Sequence, residues 1–103
     1  MKSLDEKLHD VGVRQVNDRL TQTGLYDIVL KNPKYHIKDI DGELDIIAIR
    51  GDVMHYYEIK LRHSKKRKHH AIEQYHRVCK AFPNMKIKGI YIPLNGGKIK
   101  RMI

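Results

Sequence analysis

The sequence predicts an α/β fold: one domain, residues 1–103, with a mixed central sheet flanked by two helices. Three observations predict it. Apolar residues recur at helical spacing near the start and again in the second half of the chain. Two mainly apolar runs, Leu44–Ile49 and Met54–Leu61, are joined by Gly51-Asp52, the signature of an antiparallel hairpin. The second helical stretch then lies between two strand-like runs. That order makes a parallel pair with a right-handed crossover.

Taken in order, Ser3-Leu4-Asp5-Glu6 has the spacing of a helix capping box. Leu4, Leu8, Val11, Val16 and Leu20 follow at helical intervals, and Gly24 is a C-terminal stop, so a first helix is expected over 3–23. Gly12 weakens its middle by about 1 kcal/mol relative to alanine. Leu25–Leu30 reads as a strand broken by Asn32-Pro33, and Tyr35–Ile40 as a further extended piece. Asp41-Gly42 is expected to turn the chain into the hairpin. Ser64 caps a second helix whose apolar face is Ala71, Ile72, Tyr75, Val78, Cys79 and Phe82, and Pro83-Asn84 ends it. Residues 86–93 read as a strand, Asn95-Gly96-Gly97 as a turn, and Lys98–Ile103 as a closing edge strand whose lysines suit exposure.

Composition narrows the function classes. The chain carries 21 Lys+Arg against 12 Asp+Glu, a formal net charge of +9. Such an excess suits a polyanionic partner. Cys79 is the single cysteine, which excludes an intramolecular disulfide and a four-cysteine metal site within one chain. No apolar run approaches the roughly 20 residues of a membrane span, and none follows Met1–Lys7 as in a secretory signal. A soluble protein of the cytoplasm, associated with DNA and not with membrane, is the expectation.

The chemistry is expected where charge interrupts the apolar runs. Asp45 stands alone in Leu44–Ile49, and Glu58 and Lys60 stand among apolar and aromatic residues in the next run. Buried charge without a partner is costly, so each acid needs a cation, a proton or a metal. Strand alternation puts Glu58 and Lys60 on one face, about 7 Å apart. The hairpin brings Asp45 to them. Magnesium takes oxygen ligands and keeps several waters, so Asp45 and Glu58 suffice as its carboxylates, with the backbone carbonyl of Ile59 as a further ligand. Glu43 shares the parity of Asp45 and is a candidate third acid. Lys60 can orient a water and offset charge in phosphodiester hydrolysis. The competing reading is a structural ion pair in which Lys60 bridges both acids.

Gly42-Glu43-Leu44-Asp45-Ile46-Ile47-Ala48 followed by Glu58-Ile59-Lys60 resembles the PD-(D/E)xK nuclease superfamily. It is most similar to archaeal-type Holliday junction resolvases and to small nuclease-like bacterial relatives. The tight match spans about Gly42 to Arg62. The resemblance implies a restriction-endonuclease-like core and Mg2+-dependent DNA cleavage, with Mn2+ as a substitute. It carries the motif aspartate onto Asp45, the glutamate onto Glu58 and the lysine onto Lys60 as catalytic residues. Many relatives also place a metal-binding glutamate in the first helix. Here Val13 falls near that position, and Glu6, Asp10 and Asp18 are out of register. Either Glu43 substitutes, or one metal is held, or activity is weak, and a relative that binds nucleic acid without cutting it is the limiting case. Gln74 resembles a glutamine that some relatives carry in the second helix, although Val78 replaces their tyrosine.

The run Arg62-His63-Ser64-Lys65-Lys66-Arg67-Lys68-His69-His70 follows the motif strand directly. Positive charge at a helix N-terminus opposes the helix dipole, so stability does not explain it. Arg62, Lys65, Lys66, Arg67, Lys68, His69 and Gln74 are the candidate nucleic-acid contacts. The helix histidines show no i,i+4 His pair, so they are read as phosphate surface and not as a zinc site. The four tyrosines Tyr56, Tyr57, Tyr75 and Tyr91 are expected in the core. An endonuclease for branched DNA such as four-way junctions, acting as a homodimer, is the leading expectation. A chain this small has little surface for reading a long sequence, and paired cuts suit a two-fold dimer. A module that binds DNA without cutting, and one whose basic face meets an acidic protein, remain the alternatives.

Overall fold

A computed structural model describes residues 1–37, 39–62, 64–95 and, by backbone alone, 100–102. Gly96, Gly97, Lys98, Ile99 and Ile103 of the expected C-terminal turn and strand lie outside the described residues, as does His63 of the basic run.

The first helix, α1, spans Leu4–Thr23. The Ser3 hydroxyl oxygen accepts from the Glu6 N–H at 3.1 Å, and Gly24 ends the helix in a left-handed conformation at φ 67°. Four short strands follow: β1 (Ile28–Lys31), β2 (Lys34–Ile37), β3 (Ile40–Glu43) and β4 (Ile46–Arg50). A longer strand, β5 (Val53–Lys60), leads into α2 (Lys65–Ala81), β6 (Lys86–Pro93) and β7 (Lys100–Met102). Among the described residues the main sheet runs β1-β4-β5-β6-β7, and β2-β3 form a separate hairpin. The β5-β6 pair is parallel and the other pairs are antiparallel, so the sheet is mixed as expected.

The β4-β5 hairpin has the expected turn. Arg50 faces Val53, and Gly51 takes φ 59°, where a side chain would be strained. Its N–H donates to Asp27 Oδ2 at 2.9 Å, which ties the turn to the start of β1. The helices cover opposite faces of the sheet. Val13 of α1 packs on Ile46, Ala48, Tyr57 and Ile59. Ala71 and Val78 of α2 pack with Leu44, Ile47, Met54, Tyr56 and Tyr91. Alternation along β5 explains this, since even-numbered side chains face α2 and odd-numbered ones face α1.

The structure corrects three expectations. Asp41-Gly42 is not a turn: both residues lie in β3, opposite His36 and Tyr35. Leu44 and Asp45 are not in a strand. The chain bends there before β4 begins, with the Leu44 N–H donating to the Pro33 carbonyl and the Asn32 N–H to the Asp45 carbonyl. Leu4, Leu8 and Val11 do not cover the sheet, since all three are exposed. The inward stripe of α1 is His9, Val13, Val16 and Leu20, spaced by four, three and four residues. The apolar stripe visible in the sequence joins two opposite faces at the five-residue step from Val11 to Val16. Gly12 is buried, and a methyl group added there would meet the Leu94 side chain after β6. Its penalty within the helix therefore accompanies a close approach of α1 to the sheet.

Candidate metal and nucleic-acid site

The end of the β4-β5 hairpin gathers the expected charged residues. The bend at Asp45 turns its carboxylate back across the end of β5, where Oδ2 accepts the Ile59 N–H at 2.7 Å. Glu58 and Lys60 follow strand alternation to the α2 face. Lys60 Nζ lies 3.2 Å from Glu58 Oε1, and the Tyr56 hydroxyl donates to Glu58 Oε2. Tyr56, Glu58 and Lys60 thus form one row along the strand.

The acids sit in different environments. The Glu58 side chain is 8 % exposed and that of Asp45 16 %. Burial, and secondly the Asp45 charge, pushes the Glu58 carboxyl up to about 7. The Lys60 ammonium opposes this shift without cancelling it. Lys60 is 30 % exposed, so the group has a solvent-facing side.

Helix α1 adds a residue that is not among the candidates expected from sequence. His9 Nε2 donates to the Ile59 carbonyl at 2.7 Å and lies 3.5 Å from Asp45 Oδ2. The Asp45 carboxylate beside it pushes the His9 imidazole pKa upward, against the effect of burial. His9 stands one turn before Val13. The helix position facing the site thus lies one turn earlier than the resemblance implies, and it holds a base instead of an acid. The i,i+4 spacing of His9 and Val13 is the one sequence signal for it. Val13 itself is fully buried against the sheet and brings no polar group.

Glu43 does not join the set through strand parity. It ends β3, before the bend, and its side chain is exposed. Its carbonyl accepts from Gln74 Nε2 at 2.9 Å, so Gln74 braces α2 against β3. Among the described residues, no three His, Cys, Asp or Glu side chains lie together as a ready metal cage. The oxygen donors that do converge are Asp45 and the Ile59 carbonyl, with Glu58 on the neighbouring row. That donor chemistry suits a hard divalent ion that retains water.

The basic run wraps the start of α2. The Ser64 hydroxyl oxygen accepts the Arg67 N–H at 3.0 Å, and the first turn holds no acid. Arg62, Lys65, Lys66 and Arg67 are exposed, and Lys68 is half-buried. His69 is engaged with Glu73 at 2.9 Å. Arg62, Arg67 and Leu61 form one wall of a cleft of about 340 Å3, with Lys2, Asp5, Glu6, His9 and Asp10 opposite. His9 connects this cleft to Asp45. A larger cleft of about 490 Å3, between Asp39–Asp41 and the outer face of α2, has titratable groups that are exposed.

If the basic run meets phosphate, replacing Lys65, Lys66 and Arg67 by glutamine flattens the dependence of log affinity on log salt. On duplex DNA the slope falls by about 0.9 for each phosphate no longer neutralised. Filter binding over a series of salt concentrations measures it. An unchanged slope removes these side chains from the interface.

Compared with known proteins, the chain matches no family model, no curated protein and no solved structure.

Proposed function

We propose that this chain is a metal-dependent endonuclease that hydrolyses phosphodiester bonds in DNA. The single observation carrying the reading is the pair of shielded carboxylates at one strand end, next to a cleft walled by Arg62 and Arg67. A structural ion pair accounts for Glu58 and Lys60, whereas Asp45 takes other partners, the Ile59 N–H at 2.7 Å and His9 at 3.5 Å.

Asp45 and the Ile59 carbonyl are the donors that would hold Mg2+ or Mn2+, with Glu58 as the second carboxylate. Such an ion, when bound, supplies Lewis-acid stabilisation to the phosphoryl oxygens. Arg62 and Arg67 neutralise phosphates flanking the scissile one. Lys60 sets a positive charge where the pentavalent phosphorus gathers negative charge, and orients the attacking water. Glu58, as the second carboxylate, would complete the oxygen shell of the ion, with Lys60 at 3.2 Å beside it. A restriction-endonuclease-like core, a homodimer and branched DNA as substrate belong to the same proposal. Two copies related by a two-fold axis suit the paired cuts that a four-way junction requires.

The test is incubation of the purified chain with labelled duplexes, flaps and four-way junctions, with Mg2+ or with EDTA. Cleavage that needs the ion supports the reading. Salt-sensitive binding with no cutting in either Mg2+ or Mn2+ replaces it by a binding module. One observation favours that second reading: no carboxylate of α1 joins Asp45, and a histidine stands there in its place.

A further inference from the structure

We propose that Tyr56 is a positioning residue of the metal site. Its hydroxyl pins the inner oxygen of Glu58, so that Glu58 offers the ion a single oxygen and the site selects a small six-coordinate dication over Ca2+. The inference rests on the metal-dependent reading above and concerns how one ligand is presented.

The two oxygens of Glu58 have different neighbours. Oε2 accepts from the Tyr56 hydroxyl, and Oε1 lies 3.2 Å from Lys60 Nζ. Tyr56 is fully buried, whereas Lys60 is 30 % exposed. One oxygen is therefore tied toward the core and the other toward the solvent-facing side. The order tyrosine, acid, lysine at every second position of β5 produces this, because strand alternation puts all three on the α2 face.

Packing keeps the tyrosine ring in place. It sits in the cluster with Leu44, Ala71 and Val78, and Leu44 directly precedes Asp45. A buried phenol needs a hydrogen-bond partner, and Glu58 supplies it. An ionised carboxylate has about four lone-pair sites over its two oxygens. Tyr56 takes one on Oε2 and Lys60 one on Oε1, which leaves Oε1 a site for an ion on the exposed side.

The number of oxygens offered then sets the ion. Adjacent ligands of an octahedral ion at about 2.0–2.1 Å stand about 2.9 Å apart. The two oxygens of one carboxylate are closer together than that, so a small octahedral ion is best served by one of them. Ca2+ is larger, takes about six to eight oxygens and accepts both oxygens of a carboxylate. A Glu58 pinned at Oε2 withholds the second.

The experiment uses the full chain and its Tyr56→Phe variant, checked for folding by circular dichroism. Phenylalanine keeps the ring and removes only the hydroxyl. EPR of free Mn2+ gives the Mn2+ affinity, and displacement by Ca2+ gives the ratio of the two affinities. Tyr56→Phe is expected to lower Mn2+ affinity about 10–100-fold, as loss of a group supporting a ligand does. Ca2+ affinity falls less, so the ratio drops about tenfold. A folded variant with an unchanged ratio, whatever its stability, overturns the proposal and leaves the metal-dependent reading standing. Infrared difference spectra of wild type with isotope-labelled glutamate, taken on Mn2+ addition, decide independently of how the variant folds. One-oxygen binding is the expected signature, and a chelating one overturns the proposal. Wild type that binds no Mn2+ overturns both this proposal and the reading beneath it.

Discussion

Asp45→Asn is expected to lower metal-dependent DNA cleavage by about a thousandfold or more. The carboxylate stands at the junction of everything proposed for the site: it accepts the Ile59 N–H at 2.7 Å and lies 3.5 Å from His9. Asparagine fits the same space and offers the same carbonyl oxygen to Ile59, so the bend before β4 persists. It removes the charge that holds the ion. Lewis-acid stabilisation of a phosphoryl oxygen is worth several kcal/mol, and about 4 kcal/mol is a thousandfold. DNA binding through the basic run is expected to change little, because those side chains lie on another element. Single-turnover cleavage of a labelled junction, measured beside its affinity, separates the two. Undiminished cutting by Asp45→Asn sinks the assignment.

Glu58→Gln is expected to raise stability at pH 8 while it abolishes cleavage. The raised carboxyl sets the sign. The unfolded chain holds this proton with a pKa near 4.5 and the folded chain to about 7. The folded state therefore binds more protons between those values, and stability falls as pH rises through that window. Below about 4.5 there is no cost. Above 7 the full cost of a buried charge applies, roughly 3 kcal/mol. Glutamine removes it and still pairs with the Tyr56 hydroxyl. That cost is already net of the Lys60 attraction, which opposes the shift. A gain of about 3 kcal/mol raises Tm by roughly 15 °C in a domain of this size. A structural ion pair predicts the reverse, since removing one partner of a buried pair costs about 3–5 kcal/mol. Urea denaturation of both proteins at pH 4.5, 6 and 8 decides between them. A Glu58→Gln protein less stable than wild type at pH 8 assigns Glu58 to the fold and not to catalysis.

The parts of the structure that local chemistry dictates were legible in the sequence. Ser3 and Ser64 cap the two helices, and Gly51 turns the β4-β5 hairpin with Arg50 facing Val53. Glu58 and Lys60 share a face because strand alternation leaves no choice. The rest depended on tertiary packing. Leu4 and Leu8 have helical spacing, yet the face they mark points away from the sheet, because Val13, Val16 and Leu20 are the ones that meet it. Apolar content along 44–49 concealed the bend at Leu44-Asp45, whose backbone partners, Pro33 and Asn32, are distant in sequence. That bend removed the parity argument for Glu43. For His9 the i,i+4 spacing with Val13 marks only a shared helix face, and that this face meets Asp45 and Ile59 depends on packing.

Gly12 has a consequence that reaches beyond its own contact with Leu94. Having no side chain, it acts as the spacer that fixes how deeply α1 seats, and it lies a single turn from His9. A bulkier residue there would lift the helix like a shim under a beam and draw the imidazole away from the Ile59 carbonyl. The reach of the reactive corner is thus gauged by a residue that has no chemistry of its own.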